Sequence, residues 1–457
     1  MTESFHPVRT DPPAPPGFAR RLRRNRIQRR DLLWLIGVGA AASGFSGCAV
    51  SPVDGERILV GLSEEQERQI DQRLAPHQFS GDFGAVPDAA LNQYVASVGQ
   101  SIHQRSHRPH MPYSYRVVGA NHVNAYIFPG GACALTRGIA VELQDEAELA
   151  ALLGHEVGHV AARHTAQRKG QALVVQLAVA GLRAAASESD WAGLTQVATH
   201  IGASALLASY SRDNERQADS LGQEYMVRAG YPATGMTRLH QMLMRENQRQ
   251  PSLLEAMFSS HPMSEERTAS ASQQASTRFA DSLRANPQRE RYMDQTARLR
   301  AIKPTIEACQ QGETLMARHR LFDSEQSFRR AASLSPQDYP AHVLLARNLA
   351  AQQQFPEAQR FAELARGINP HEGQAHKLFG SIRLARRDPA GAFEAFEHFD
   401  RMLPGDNHIS FLMGVSLDAA GQRQRAAEHY WRFLQRNPQG VQANHARNQL
   451  RAWGMLR

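Results

Sequence analysis

The chain has 457 residues, 42% hydrophobic and 21% charged, with ordinary glycine and proline content. That composition excludes a wholly disordered chain and leaves room for two or three domains with cores of their own. The formal net charge is +8, but residues 1–47 hold eight arginines against Glu3, Asp11 and Asp31, and the rest of the chain carries only +3. The basic balance therefore gives no support to a nucleic-acid partner.

In chain order, the first element is an export signal over residues 1–47. Arg20 to Arg30 is basic, Leu32 to Phe45 is apolar, and Ser46-Gly47-Cys48 closes the run with small residues. The apolar run is shorter than the about 20 residues a membrane-spanning helix needs. The Arg29-Arg30 pair resembles a twin-arginine signal, with Sec export the alternative. The ending resembles a lipobox, in which Cys48 becomes the lipidated first residue and holds the protein on a membrane without crossing it. With Ala49 after it, the expected location is the periplasmic face of the outer membrane. Residues 48–60 read as a linker.

A first globular region is expected over 61–275. Gly61 to Leu74 predicts a helix capped by Ser63, and Pro87-Asp88 opens a second that runs to Ile102. Ser114–Val118 and Ala125–Phe128 read as strands; Pro129-Gly130-Gly131 breaks the latter, and Ala132–Thr136 resumes it. Glu146 to Gln167 is a strong helix with Asp145 as cap. Residues 171–210 are unusually apolar and fit core helices or a lid. A further helix is expected from Ser204 to Ala229, stopped by Gly230-Tyr231-Pro232, and Ser260-His261-Pro262 falls in a loop. Residues 276–304 are a polar, arginine-rich helical connector. Cys133 and Cys309 stand far apart and are expected as two separate buried thiols.

Residues 305–457 repeat. Pro336, Pro370, Pro404 and Pro438 recur every 34 residues. Gly312, Ala346, Gly380 and Gly414 keep the same period, as do Ser324, Ala358, Ala392 and Ala426, and Phe328, Ala362, Phe396 and Tyr430. Small residues where paired helices touch, and proline after each second helix, resemble tetratricopeptide repeats. Four repeats and a closing helix over Val441–Trp453 form an all-α solenoid whose concave surface suits a protein partner.

Residues 155–159 read His-Glu-Val-Gly-His. On a helix, His155 and His159 project side by side, about 40° apart, while Glu156 points about 100° away, where it can face a metal-bound water. Glu215 and Asp219 are again four apart on another predicted helix. Glu215 can complete a His-His-Glu metal site, and Asp219 can accept a hydrogen bond from the far nitrogen of a ligand histidine.

The segments VNAYIFPGG at 123–131, HEVGHVAARH at 155–164, SRDNERQAD at 211–219 and SHP at 260–262 occur in that order. Together with the repeats they resemble the HtpX/BepA-type zinc metallopeptidase family, here with the lipobox of a lipoprotein variant. The resemblance implies a mainly α chain: a gluzincin-type α+β domain with a small sheet over 61–275, then the repeat solenoid. It implies one Zn2+ on His155, His159 and Glu215, and Glu156 as general base. It also places His261 near the zinc, either as a fourth ligand that latches the enzyme off or as a donor to the oxyanion. Substrate is expected as an extended strand beside an edge strand at Gly130, Gly131 and Cys133. The implied role is an endopeptidase clearing misfolded or misassembled envelope proteins. The alternative is a repeat scaffold or assembly chaperone with a rarely active peptidase domain.

Overall fold

The computed structural model describes residues 48–172 and 209–456. The export signal over 1–47 and most of the apolar stretch 171–210 lie outside those residues; the helix expected from Ser204 is not continuous, because residues 209–211 are not helical and the helix begins at Arg212 after the Ser211 cap.

Residues 48–60 are not a bare linker. They form an antiparallel hairpin, β1 (Cys48–Val50) with β2 (Arg57–Leu59), turning through Gly55 at φ +76°. Strands of three residues leave no alternation to read in sequence; tertiary contact decides them. Just beyond β2, Gly61 donates a hydrogen bond to the Ala166 carbonyl.

Helix α1 (Glu64–Gly81) starts at Ser63 in a capping box with Gln66. It runs past Pro76, beyond its expected end, and Phe79 in its last turn packs on Tyr126 and Phe128 with ring centroids 6.2 Å away. Helix α2 (Ala89–His103) is capped by Asp88. Strands β3 (Ser114–Val118), β4 (Ala125–Ile127) and β5 (Ala132–Thr136) form a three-stranded sheet in the order β3-β5-β4, with β3 parallel and β4 antiparallel to β5. A short helix α3 (Arg137–Ala140) follows β5 directly.

Helix α4 (Glu146–Ala161) has every residue buried, and Asp145 caps it. It ends at Ala162, where Arg163 turns left-handed at φ +58°, and the chain is helical again over 164–172. Helix α5 (Arg212–Arg228), capped by Ser211, lies across α4. Helices α6 (Thr234–Arg249), α7 (Pro251–Ser260) and α8 (Glu265–Ser276) complete this half.

The α4–α5 crossing is close because it is built on small residues. A Cβ on Gly158 would stand 2.8 Å from the Ala218 carbonyl oxygen, and one on Gly222 would stand 2.7 Å from the His155 nitrogen. Gly222→Val should therefore lower stability by about 1–3 kcal/mol through overpacking, and should reduce metal retention with it. Thermal denaturation and metal analysis check this; an unchanged midpoint and metal content would show that the crossing has slack.

A 3-10 turn over Ala280–Arg284 and helices α9 (Arg289–Gln295) and α10 (Ala297–Ala301) lead to the repeats. Four helical hairpins follow: α11 (Lys303–Ala317) with α12 (Leu321–Leu334), α13 (Tyr339–Ala351) with α14 (Phe355–Ile368), α15 (Gly373–Ala385) with α16 (Pro389–Met402), and α17 (Asn407–Ala419) with α18 (Arg423–Arg436). Helix α19 (Val441–Ala452) closes the stack. The repeating columns are complementary in size. Gly380 lies under Phe396 and Gly414 under Tyr430, each with a hypothetical Cβ 2.7 Å from the ring, while Ala346 and Ala362 share the space in the second hairpin.

The repeats are docked on the first globular region through the first two hairpins and the start of α15. Arg137, fully buried after β5, pairs bidentately with Asp338. Asn121 donates to Glu313 at 3.0 Å and its carbonyl accepts from Gln310 at 2.7 Å. Ser80 bonds Glu372, and Phe83 is part of the repeats' apolar core. Cys133 and Cys309 are both buried and free.

Candidate metal centre

Helices α4 and α5 and the end of α7 bring four side chains together. Ligand atoms of His155, His159, Glu215 and His261 all lie within 4.8 Å of one another, and all four residues are buried. His155 Nε2 is 3.1 Å from His159 Nε2, 3.2 Å from His261 Nδ1 and 3.5 Å from Glu215 Oε2. Glu215 Oε1 is 3.3 Å from His159 Nε2 and 3.2 Å from His261 Nδ1. A tetrahedral ion with bonds of about 2.0–2.1 Å needs donor separations of roughly 3.3–3.4 Å, and with Glu215 Oε1 as the carboxylate donor four edges, at 3.1, 3.2, 3.3 and 3.2 Å, come close to that length.

The protonation pattern fits the same conclusion. His155 Nδ1 donates to Asp219 Oδ1 at 2.9 Å, which leaves its Nε2 lone pair facing the cage. Gln217 Oε1 accepts from His164 Nε2 at 2.9 Å. His164 Nδ1 can then accept from His159 Nδ1, also at 2.9 Å, which frees the His159 Nε2 lone pair. Burial pushes the His164 imidazole down to about 4, keeping it neutral in this chain of bonds. Lone pairs converging at 3.1 Å repel unless a cation lies between them, so the donor set fits a metal.

Glu156 stands beside the cage with both carboxylate oxygens buried and without hydrogen-bond partners. Burial raises its carboxyl above the ordinary range, and Oε1 lies 3.7 Å from His261 Nε2. Asp219 is held bidentately by Arg267 at 2.7 Å for each bond, and Arg267 also lies 2.8 Å from Glu215 Oε2. Burial alone would raise the Asp219 carboxyl, but His240 and Arg267 hold it well below the usual range. Tyr210 stacks on the His159 ring at 3.9 Å and bonds Thr165 through its hydroxyl.

Every metal-site residue singled out in the sequence lies in this cluster. The substrate strand does not lie where it was expected. Gly130, Gly131 and Cys133 belong to the turn and the central strand of the sheet, and β5 is paired on both sides, so it has no free edge. The Gly130 and Ala132 N–H groups are bonded to Asp71 at 2.7 and 2.8 Å, and burial pushes that carboxyl up to about 7. Cys133 is a fully buried thiol, raised by burial. The edge facing α4 is β4. Tyr126 there pairs with Ala134 of β5, so Ala125 and Ile127 turn their backbone groups to the other side.

His164, Gln217, Tyr210, His240 and Arg267 were not singled out in the sequence. His164 closes the HEVGHVAARH segment, and that was the available signal. Arg267 lies 48 residues from Asp219 in a polar helix, with nothing local to mark it.

These features define a metallopeptidase domain of the HExxH type. Residues 89–275 match the model of Peptidase family M48. The chain is 26% identical over 265 residues to the beta-barrel assembly-enhancing protease of Escherichia coli (strain K12), covering 56% of this chain and 53% of that protein. It is 27% identical over 228 residues to the Yersinia pestis protein of the same name, with 47% and 46% covered. To the metalloprotease YcaL of Escherichia coli (strain K12) it is 25% identical over 209 residues, 45% of this chain and 78% of that one. The chain thus spans about half the length of the two beta-barrel assembly-enhancing proteases. Among solved structures, a thermophilic TPR protein of Thermus thermophilus aligns with 33% of this chain and 84% of its own, at TM-score 0.30 and 16% identity.

Proposed function

We propose that this chain is a zinc-dependent endopeptidase of the bacterial envelope that acts on misfolded or misassembled envelope proteins, with its repeats engaging a protein partner. The observation that carries the reading is the buried cage of His155, His159, Glu215 and His261 with the unpartnered Glu156 carboxylate beside it. His155, His159 and Glu215 would hold the ion, Asp219 and His164 fix the two ligand tautomers, and Glu156 accepts and returns the proton. Zinc bound there supplies a bound water of lowered pKa and polarises the scissile carbonyl. An extended substrate would lie along the free side of β4 at Ala125 and Ile127, a mode that reads little side-chain identity. Casein cleavage by the metal-loaded protein, abolished by a chelator and restored by zinc, tests the activity; no cleavage under any loading would sink it.

Four donors close a site that catalysis needs open. His261 fills that fourth corner through Nδ1, at the end of α7, where its N–H bonds Met257. This supports the latch over the oxyanion role, and it favours the second reading to this extent: the peptidase is held off while the repeats bind. His261→Ala should cleave casein several-fold faster with zinc retained. A large fall in kcat would assign His261 to the transition state instead.

Lipid on Cys48 would keep the protein at the outer membrane facing the periplasm. No described helix is long and apolar enough to cross a membrane. Cys48→Ala should move the protein from the membrane fraction to the soluble periplasm; a soluble wild type removes the anchor.

A further inference from the structure

Charge in this chain is polarised along its length. Residues 48–418 sum to −3, whereas residues 419–457 hold seven arginines and one acidic side chain, Glu428, for +6. Six of those arginines, Arg423, Arg425, Arg432, Arg436, Arg447 and Arg451, lie on α18 and α19, the last two described helices of the solenoid. Elsewhere in the repeats some arginines find acids, Arg329 with Glu325 and Glu357 and Arg383 with Asp388, and others meet neutral groups, Arg347 with Gln374 and Arg386 with Gln359; acids are interspersed there, which they are not at the tip. Among the described residues, none of the six at the tip has a carboxylate within 4.0 Å. Their partners are neutral: Arg425 meets Gln422 and the face of Phe393, Arg436 the Gly405 carbonyl, and Arg447 Asn444.

Large apolar side chains stand exposed among them. Val441, at the start of α19, is 87% exposed, Trp431 on α18 is 39% exposed, and Met455 is 36% exposed. Exposed valine and tryptophan among arginines carry a cost only if the face is always in water. Arginine with interspersed tryptophan is the composition that settles at the headgroup level of an anionic bilayer. There the guanidinium groups meet phosphates while the aromatic and aliphatic groups enter the interface.

We propose that the α18–α19 tip is a membrane-docking surface for anionic phospholipid headgroups. It is separate from the metal centre and from the anchor at Cys48, and it does not rest on either reading. It would orient the chain by a second contact. A diffuse patch of unpaired cations recognises charge density rather than one shape, which favours a lipid surface over a single acidic protein sequence.

The test uses the full chain with Cys48→Ala, so that no lipid is attached. The basic segment 1–47 is common to all samples, and only differences between them are read. Vesicles of phosphatidylcholine alone are compared with vesicles containing about one-third phosphatidylglycerol, at low and high salt. Each cation near such a surface is worth roughly fivefold in partitioning. Reversing Arg432, Arg436 and Arg451 together to Glu should therefore cut binding to the anionic vesicles at least about tenfold. Binding of the parent should weaken with salt, and Trp431→Ala should bind less tightly in proportion to the lost interfacial contact. Casein cleavage and circular dichroism unchanged by the reversal confirm that the fold is intact. Equal vesicle binding by parent and reversal variant overturns the proposal. So does reversal-sensitive binding of poly-L-glutamate without vesicle binding, which would make the tip a site for an acidic polypeptide.

Discussion

Glu156→Gln is expected to lower the casein-cleavage rate by at least about 10², the low end for removing a general base, while zinc content and thermal midpoint stay at wild-type values. The geometry explains why the two readouts separate. Glu156 is on the metal helix but is not one of the four converging donors, and both its oxygens are buried without a partner. Glutamine keeps the volume and the helix propensity, so neither the packing of α4 nor the cage changes. It cannot accept a proton. Burial raises the Glu156 carboxyl, which brings it closer to the pKa that a group exchanging protons at neutral pH requires. Single-turnover kinetics with zinc measured on the same sample is the deciding experiment, and activity retained in the variant would place the base elsewhere.

Glu215→Ala is expected to strip the metal. It is the anionic member of the cage, within 3.5 Å of both His155 and His159. Removing an outer-shell partner already costs about 10–100-fold in metal affinity, and removing a ligand should exceed that. The helix itself should survive, because Arg267 keeps its bidentate bonds to Asp219 one turn further on. Asp219→Asn makes the internal comparison: zinc should weaken within the outer-shell range, since the His155 tautomer loses its anchor but all three ligands remain. Metal analysis after dialysis gives both numbers. Full zinc occupancy in the Glu215 variant would take that residue out of the site.

The metal ligands were legible because helical geometry is local. Four-residue spacing puts His155 beside His159 and Glu215 beside Asp219 whatever surrounds them. The caps at Ser63, Asp88 and Asp145 were legible for the same reason, while the Ser211 cap was not, and the repeats were legible because a fixed period needs no tertiary knowledge. The character of the exposed tip was not. The arginines of 419–457 are countable in the sequence, but that they lack acidic neighbours is a property of which helices pack together.

What the sequence by itself determined is therefore everything set by spacing along one element: the two metal helices, the pairing of small and aromatic residues in each repeat, and the buried thiols as separate groups. What only the tertiary structure decided is which elements meet. Strand order made β5 the centre of its sheet and moved the open edge to β4, because pairing between strands is chosen by packing and not by the strand's own pattern. Arg267 and His164 became part of the site through contacts across the fold. The docking of Arg137 on Asp338, 201 residues apart, fastened the second hairpin to the first globular region. A buried guanidinium needs a buried carboxylate, and nothing in the residues flanking Arg137 says where that carboxylate is found.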